Sequence, residues 1–181
     1  MISARRVCAV LIIAVVETTH AAHAQPFPAL EVKGIKLGMT RSEIVTAYPE
    51  WLCRDRACGG KGTPTSGFST VAGVSVEFVS VFFDDTDKLV RLMITVPTSG
   101  AFTIAAAFKD KYGMPVVTEA AYQTRGGVKA TQFVHTWQQT GSTLRLTSPA
   151  SRIDQASLTL FDEAYLLSQA KKLKAEAAKD L

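Results

Sequence analysis

The sequence predicts an α+β fold in which helices pack on one face of an antiparallel β-sheet. Segments with the two-residue alternation of strands follow one another with only tight turns between them, which is typical of antiparallel pairing. Segments with helical spacing of apolar residues stand before, between and after these strand runs. The resulting order is helix, strands, helix, strands, helix. A doubly wound α/β fold would instead alternate single strands with helices.

The first predicted helix begins at Thr40 and stops before Pro49. Thr40 is a good N-cap residue, and Glu43 three positions later completes a capping box. A strand is predicted ahead of this helix at residues 30–37, and a loop is predicted behind it at residues 51–67.

The rest of the chain alternates strands with two further helices. The alternation predicts two central strands at residues 74–83 and 88–96, joined by an acidic turn. A second helix is predicted at residues 101–112, with an apolar stripe of Phe102, Ala105, Phe108 and Tyr112. Three more strands follow at residues 131–138, 143–147 and 156–161, and a C-terminal amphipathic helix is predicted at residues 162–179.

Two segments of the chain are faintly similar to each other. Residues 40–49 and 99–115 each read as a capped helix that ends in Tyr and then Pro, followed by a block of strands. Two half-repeats are therefore an alternative to one unrepeated arrangement.

The N-terminus has the layout of a secretory signal peptide. Arg5 and Arg6 precede an unbroken apolar run of ten residues, and Ala22-His23-Ala24 forms an A-x-A cleavage site. The alternative is a membrane anchor, but about 20 apolar residues are needed to cross a bilayer as a helix. We therefore expect residues 1–24 to be removed, which leaves one α+β domain at residues 25–181. That domain is expected to be periplasmic or secreted, without a stable membrane anchor.

Composition and charge exclude several classes of protein. The chain has 181 residues, of which 47% are hydrophobic and 20% charged, so it is neither disordered nor fibrous. Its formal charge is +4, and loss of Arg5, Arg6 and Glu17 with the signal peptide lowers this to +3. So small an excess does not indicate a nucleic-acid partner.

Two cysteines, Cys53 and Cys58, remain after cleavage, because Cys8 lies in the signal peptide. An even pair in an exported protein predicts a disulfide that holds a local loop. A redox-active pair is the alternative, although such pairs normally have C-x-x-C spacing. A structural zinc site needs four ligands, and the two cysteines with the one remaining histidine do not supply them.

The sequence contains none of the common catalytic motifs. It has no G-x-S-x-G and no H-E-x-x-H motif. His135 alternates with Phe133 and Trp137 along a predicted strand, which favours a packed histidine over a catalytic one. We predict no catalytic residue, no metal site and no cofactor, and we favour a protein without enzymatic activity. No pair of carboxylates stands out, although such a pair remains an alternative.

The short disulfide loop is the predicted binding site. Arg54 and Arg56 lie inside it, and Trp51 stands just before it. Tryptophan and arginine are enriched among interface residues that dominate binding energy. The alternative is an ordinary surface loop with Trp51 folded onto the core.

The run Gly34-Ile35-Lys36-Leu37-Gly38-Met39-Thr40-Arg41-Ser42-Glu43-Ile44 resembles the opening of some small exported bacterial modules. It is similar to the start of the SmpA/OmlA outer-membrane lipoproteins and of β-lactamase-inhibitor-like domains. The resemblance covers residues 34–49 and implies helices on one face of an antiparallel sheet and a role in binding other proteins. The chain departs from the lipoproteins in having no cysteine placed for lipid attachment, so the resemblance implies no anchor.

These observations together predict an exported, non-enzymatic module that binds another envelope or secreted protein. Two alternatives stay open: an envelope hydrolase that uses paired carboxylates, and a carrier of small apolar ligands. Two carboxylates facing one deep cleft would favour the hydrolase, and a sizeable apolar cavity would favour the carrier.

Overall fold

A computed structural model describes residues 27–123 and 127–177 of the chain. The predicted signal peptide lies outside these ranges. In the described part three α-helices accompany ten strands. The helices are α1 (Arg41–Ala47), α2 (Ala101–Tyr112) and α3 (Glu163–Ala177). The strands are β1 (Leu52–Arg54), β2 (Ala57–Lys61), β3 (Thr70–Val71), β4 (Val74–Ser75), β5 (Phe78–Phe83), β6 (Leu89–Pro97), β7 (Val116–Gln123), β8 (Lys129–Gln139), β9 (Ser142–Ser148) and β10 (Gln155–Phe161).

Eight of these strands form one antiparallel sheet, in the order β1-β2-β5-β6-β10-β9-β8-β7. Strands β3 and β4 form a separate two-stranded hairpin between β2 and β5. This large antiparallel sheet with three helices confirms the predicted α+β class.

The register of the sheet sorts its side chains onto two faces. Val81, Leu92, Leu160, Leu144 and Trp137 stand opposite one another in a row across five strands, and all of them are buried. We call their side the inner face. The residues between them along each strand point to the other side, because successive side chains of a strand alternate. We call that side the outer face.

Helix α2 begins and ends at the residues that the sequence predicts. The left-handed φ of Gly113 ends it, as is common for glycine just beyond a helix. Its buried residues include Ile104 and Phe108, and the Phe108 ring meets Trp137 edge-on at 5.8 Å. The prediction that Phe102 belongs to the buried stripe is wrong, since its side chain is 70% exposed.

Helix α1 has the predicted capping box. The Thr40 hydroxyl accepts from the Glu43 N–H at 3.2 Å, and the Glu43 carboxylate accepts from the Thr40 N–H at 2.6 Å. This second bond is the main reason that the pKa of Glu43 is lowered. Ile44 points from the helix into the core and is fully buried.

Three other predicted elements differ from the structure, and one observed strand was not predicted. Residues 51–67 contain the hairpin of β1 and β2, and residues 74–83 divide into β4 and β5. Strand β7 has no counterpart in the predicted elements. Residues 30–37 form a tight turn in place of a strand: Lys33 and Gly34 have φ of 51° and 78°, and Val32 and Ile35 exchange backbone hydrogen bonds across them.

Two tyrosines hold this N-terminal turn against the rest of the protein. Tyr48 follows α1, and its hydroxyl donates to the Lys33 carbonyl at 3.1 Å. The Tyr112 hydroxyl, at the end of α2, donates to the Glu31 carbonyl at 2.7 Å. Leu30, Val32 and Ile35 are buried in the same core cluster as the sheet. Both helices are thus connected through one short segment.

The Tyr112→Phe substitution is expected to lower the free energy of unfolding by about 2 kcal/mol, because it leaves the half-buried Glu31 backbone without its partner. Denaturant unfolding measures this. Tyr122→Phe is the matched control: its hydroxyl donates to Ser151 at an exposed site, so the loss should be smaller. Equal stability of Tyr112→Phe and the wild type would contradict the role given to this hydroxyl.

Candidate functional site: the outer face of the sheet

The predicted disulfide is present at one edge of the sheet. Cys53 of β1 and Cys58 of β2 stand directly opposite each other and are joined by the bond. Asp55, with a φ of 47°, lies in the turn between the two strands. The disulfide therefore closes a hairpin, which is a local structural role of the predicted kind.

The structure does not bring the three predicted binding residues together. Trp51 is 4% exposed and stacks on Tyr48 with ring centroids 4.4 Å apart, while Phe68 meets it edge-on. It lies in the core, as the alternative interpretation of the loop required. Arg56 forms an ion pair with Asp85. Of the three, Arg54 is the one whose register places it on the outer face of the strands.

The outer face is a row of small, hydroxyl and basic side chains. Ser80, Met93, Thr159, Arg145 and Thr136 stand opposite one another across five strands. A second row parallel to it contains Phe78, Thr95, Ser157, Thr147 and Val134. All ten of these side chains are at least partly exposed to solvent. These two rows are therefore accessible, whereas the next row of the same face is partly covered by α3, with Phe161 and Thr143 buried.

A groove of about 450 Å³ lies at the end of the outer face, beside the disulfide hairpin. Leu52 and Phe78 give it exposed apolar walls, with exposed fractions of 79% and 46%. Arg54 and Lys61 stand beside them. Exposed apolar side chains next to cations suit a partner that presents both apolar and acidic groups.

The charged strand residues of the outer face all have one sign, and the carboxylates that reach this face, Glu163 and Glu77, come from outside the strands and accept from Gln138 and Gln155. Register places Arg54, Lys61, Arg91 and Arg145 there, and among the described strand residues no Asp or Glu shares the face. The Arg91 guanidinium lies 5.3 Å from the centroid of the Phe82 ring, and that of Arg145 lies 5.1 Å from Phe161. Aromatic rings hold both cations in place without neutralising them. The Nε of Arg91 is buried and has no hydrogen-bond partner in the described ranges.

The acidic turn between β5 and β6 has its carboxylates engaged in local contacts. Asp84 accepts hydrogen bonds from the backbone of Thr86 and Lys88, and the bond from Lys88 is the main reason that its pKa is lowered. Asp85 pairs with Arg56, and Asp87 lies 2.9 Å from Arg41. Within residues 27–123 and 127–177, no cluster of three or more His, Cys, Asp or Glu side chains could hold a metal ion.

A second cavity, of about 460 Å³, lies near the start of β7. Phe27, Leu30, Met114, Val116 and Trp137 supply its apolar lining. Tyr112, Thr136, Gln138 and Gln139 supply polar groups, and no charged residue lines it. A pocket of this size and polarity fits a small neutral ligand.

His135 lies on the inner face, where its register partners are Val117 and Leu146. Its ring stacks near Trp137, with centroids 6.3 Å apart, and its Nδ1 is buried without a partner among the described residues. Burial lowers the pKa of His135, because the protonated form loses hydration. This is a packed histidine of the predicted kind.

Comparison with known protein families, with curated proteins and with solved structures finds no match to this chain. None of the helices in the described part is long and apolar enough to span a membrane. The outer face must therefore be interpreted from its own chemistry.

Sequence reasoning missed Leu52, Lys61, Phe78, Arg91 and Arg145 as members of a site. Phe78, Arg91 and Arg145 lie in predicted strands, next to buried residues, whereas Leu52 and Lys61 lie in the segment that is predicted as a loop. What the sequence does not show is which strands are neighbours.

The lowered pKa of His135 predicts how stability depends on pH. Between the ordinary pKa near 6.5 and the lower folded value, the unfolded chain binds a proton that the folded chain does not, so stability falls as the pH decreases. His135 is the only histidine after residue 24. We expect unfolding in denaturant to require less free energy at about pH 5.5 than at about pH 7.5.

The His135→Gln variant should lose most of this dependence, because glutamine does not titrate. An unchanged pH dependence in His135→Gln would show that another group is responsible.

Proposed function

We propose that this chain is an exported, non-enzymatic module that binds another envelope or secreted protein through the outer face of its sheet. The observation that carries the proposal is the pair of exposed rows on the outer face, whose four charged strand residues are basic, with no acidic residue among the described strand residues of that face. Such a surface attracts a partner that presents acidic side chains. Arg54 belongs to this surface, Arg56 lies at its rim, and Trp51 packs beneath the neighbouring hairpin.

We infer that the surface results from two half-repeats. Helix α1 is followed by β1, β2, β5 and β6, and α2 is followed by β7 to β10. The sheet order runs inward through each set of four, so that β6 and β10 meet at the centre. Tyr48 and Tyr112 occupy equivalent places after the two helices, and each donates to the N-terminal turn. A two-fold relation of this kind puts α1 and α2 on one face, and on the other face α3 covers one end while the rows through Ser80 and Phe78 stay exposed.

Export is supported by the N-terminal residues and by the disulfide. Residues 1–24 have the signal-peptide layout, and the disulfide is of the type that persists in oxidising compartments. The non-enzymatic part rests on the lining of the grooves. In the four described grooves the lining includes one carboxylate, that of Glu163, which accepts from the Gln138 amide at 2.9 Å. A glycoside hydrolase needs two carboxylates facing one cleft.

Site-specific photo-crosslinking in the exported protein tests the proposal. A photoreactive residue at Ser80 or Thr159, on the outer face, is expected to give a discrete adduct with a partner protein. The same residue at Thr103, which is exposed on α2, is the control and should not. The intact mass of the exported protein should correspond to a chain that begins at Gln25.

Charge reversal in the same cross-linking experiment tests whether the basic residues are needed for binding. Arg54→Glu with Lys61→Glu should reduce the adduct about tenfold or more, since two attractive pairs become repulsive. Lys109→Glu with Lys171→Glu makes the same change in net charge at exposed helical positions and should leave it unchanged. The proposal would be contradicted if a photoreactive residue at Thr103 gave as much adduct as one at Ser80 or Thr159. It would also be contradicted if neither Ser80 nor Thr159 gave an adduct.

A carrier of small apolar ligands is the second candidate function, favoured by the cavity beside Trp137. N-phenyl-1-naphthylamine, a neutral apolar probe, would then bind saturably with increased fluorescence. Met114→Glu should abolish this binding by placing a charge in the cavity, whereas Leu52→Glu, at the distant groove, should not. Absence of saturable binding by the wild type would rule out this candidate for ligands of the probe's class.

A further inference from the structure

Strand β7 is an eight-residue edge strand that is open on both faces. Seven of its residues are exposed and the eighth, Tyr122, is half-buried. It pairs with β8 on one side, and no described residue pairs with it on the other. Its outer edge therefore presents unpaired backbone N–H and C=O groups along the length of the strand.

Of the usual protections of an edge strand, β7 has a single charged side chain and no other. Between Val116 and Gln123 there is no proline, no lysine and no arginine, and the one charge is Glu119. The opposite edge of the sheet is different: β1 has three residues, ends in Arg54, and is tied to β2 by the disulfide. Short, charged edge strands resist pairing, and long uncharged ones invite it.

The far end of β7 also lacks support within its own sheet. Residues 120–123 pair with residues 129–132 of β8, but β9 joins β8 only from Phe133 onward. This end is a two-stranded arm, which two side-chain bonds hold to the neighbouring loop: Tyr122 to Ser151 and Gln132 to Pro149. Two-stranded ribbons are marginally stable in water, and a third strand stabilises them.

The N-terminal end of this chain cannot supply that strand once the predicted signal peptide is removed. Cleavage after Ala24 leaves Gln25 and Pro26 before Phe27, and two residues do not cover a strand of eight. A second copy of the chain can, because the β7 sequence is compatible with its own reverse.

We propose that β7 pairs antiparallel with β7 of a second copy, around a two-fold axis at Ala120. In this register the residues of one copy lie opposite those of the other, with Glu119 opposite Ala121, Thr118 opposite Tyr122 and Val117 opposite Gln123. No two like charges oppose each other, whereas centring the pair on Glu119 would place two carboxylates face to face. In the dimer, the two-stranded arm of each copy is joined by a third strand. This third strand is the first half of the partner's β7, which the partner's own β8 and β9 already support.

The two-fold axis stands perpendicular to the sheet, so both outer faces point in the same direction. The dimer would present two copies of the cationic surface side by side, and bivalent binding increases affinity without any new contact. Growth stops at two copies, because the β1 edge of each is protected. This pairing does not depend on the proposed function, and the experiment below does not use the basic residues.

Cysteine scanning tests the register directly. Cys53 and Cys58 are already joined, so one added cysteine supplies one free thiol. Ala120→Cys is expected to form an intermolecular disulfide, because opposed side chains lie about 5 Å apart. Glu119→Cys alone and Ala121→Cys alone should not, since each lies about 7 Å from its own copy. Mixing these two variants should restore cross-linking.

Sedimentation of the protein without added cysteines gives the second measurement. The wild type should sediment as a dimer, and Ala120→Lys should weaken the dimer about tenfold or more by opposing two cations. Ala106→Lys, an identical change at an exposed position of α2, should leave it intact. A wild type that remains monomeric at about 100 μM, or Ala121→Cys cross-linking to itself in preference to Ala120→Cys, would overturn the proposal.

Discussion

The pairing of β6 with β10 is the interaction on which the rest of the structure depends. Seven residue pairs join these strands, from Pro97 opposite Gln155 to Arg91 opposite Phe161. Each strand is the last of its own set of four, so the two sets become one sheet only when this pair forms. On the inner face the pair buries Leu92, Leu158 and Leu160 completely. Without it, the core beneath α1 and the core beneath α2 would be separate and small, and small cores bury too little surface to be stable.

The two-residue alternation of side chains along the strands produces both the buried core and the candidate site. Along β6 and β10 the inward residues are large and aliphatic, and the outward ones include Met93, Thr95, Ser157 and Thr159. Hydroxyl side chains tolerate a partly hydrated sheet surface, and two flat aromatic rings place the guanidinium groups of Arg91 and Arg145 above it. The inner face is covered because its residues are apolar, and the outer rows that α3 does not cover stay exposed because their residues interact adequately with water.

How far the sequence predicts each element depends on whether local signals decide it. The bounds of α2, the capping box of α1 and the Cys53–Cys58 bond were all predictable, because neighbouring residues determine them. The hairpin of β1 and β2 was not: its two glycines and four charged residues are typical of a loop, and the strands form because β5 offers an edge. Strand β7 escaped prediction for a similar reason, since Glu119, Ala120 and Ala121 have low strand propensity and the pairing with β8 overrides it.

The sequence by itself determined the α+β class, the disulfide and the packed character of His135, because these follow from residues close together in the chain. Only the tertiary structure decided the order of the strands, and with it the site. Arg54, Arg91 and Arg145 are far apart in sequence, and they share one face because β1, β2, β5, β6, β10 and β9 lie side by side. The burial of Trp51 was decided in the same way, since its stacking partner Tyr48 and its edge contact Phe68 meet it only in the folded core. Long-range strand pairing has no local sequence signal, and the outer face exists only through that pairing.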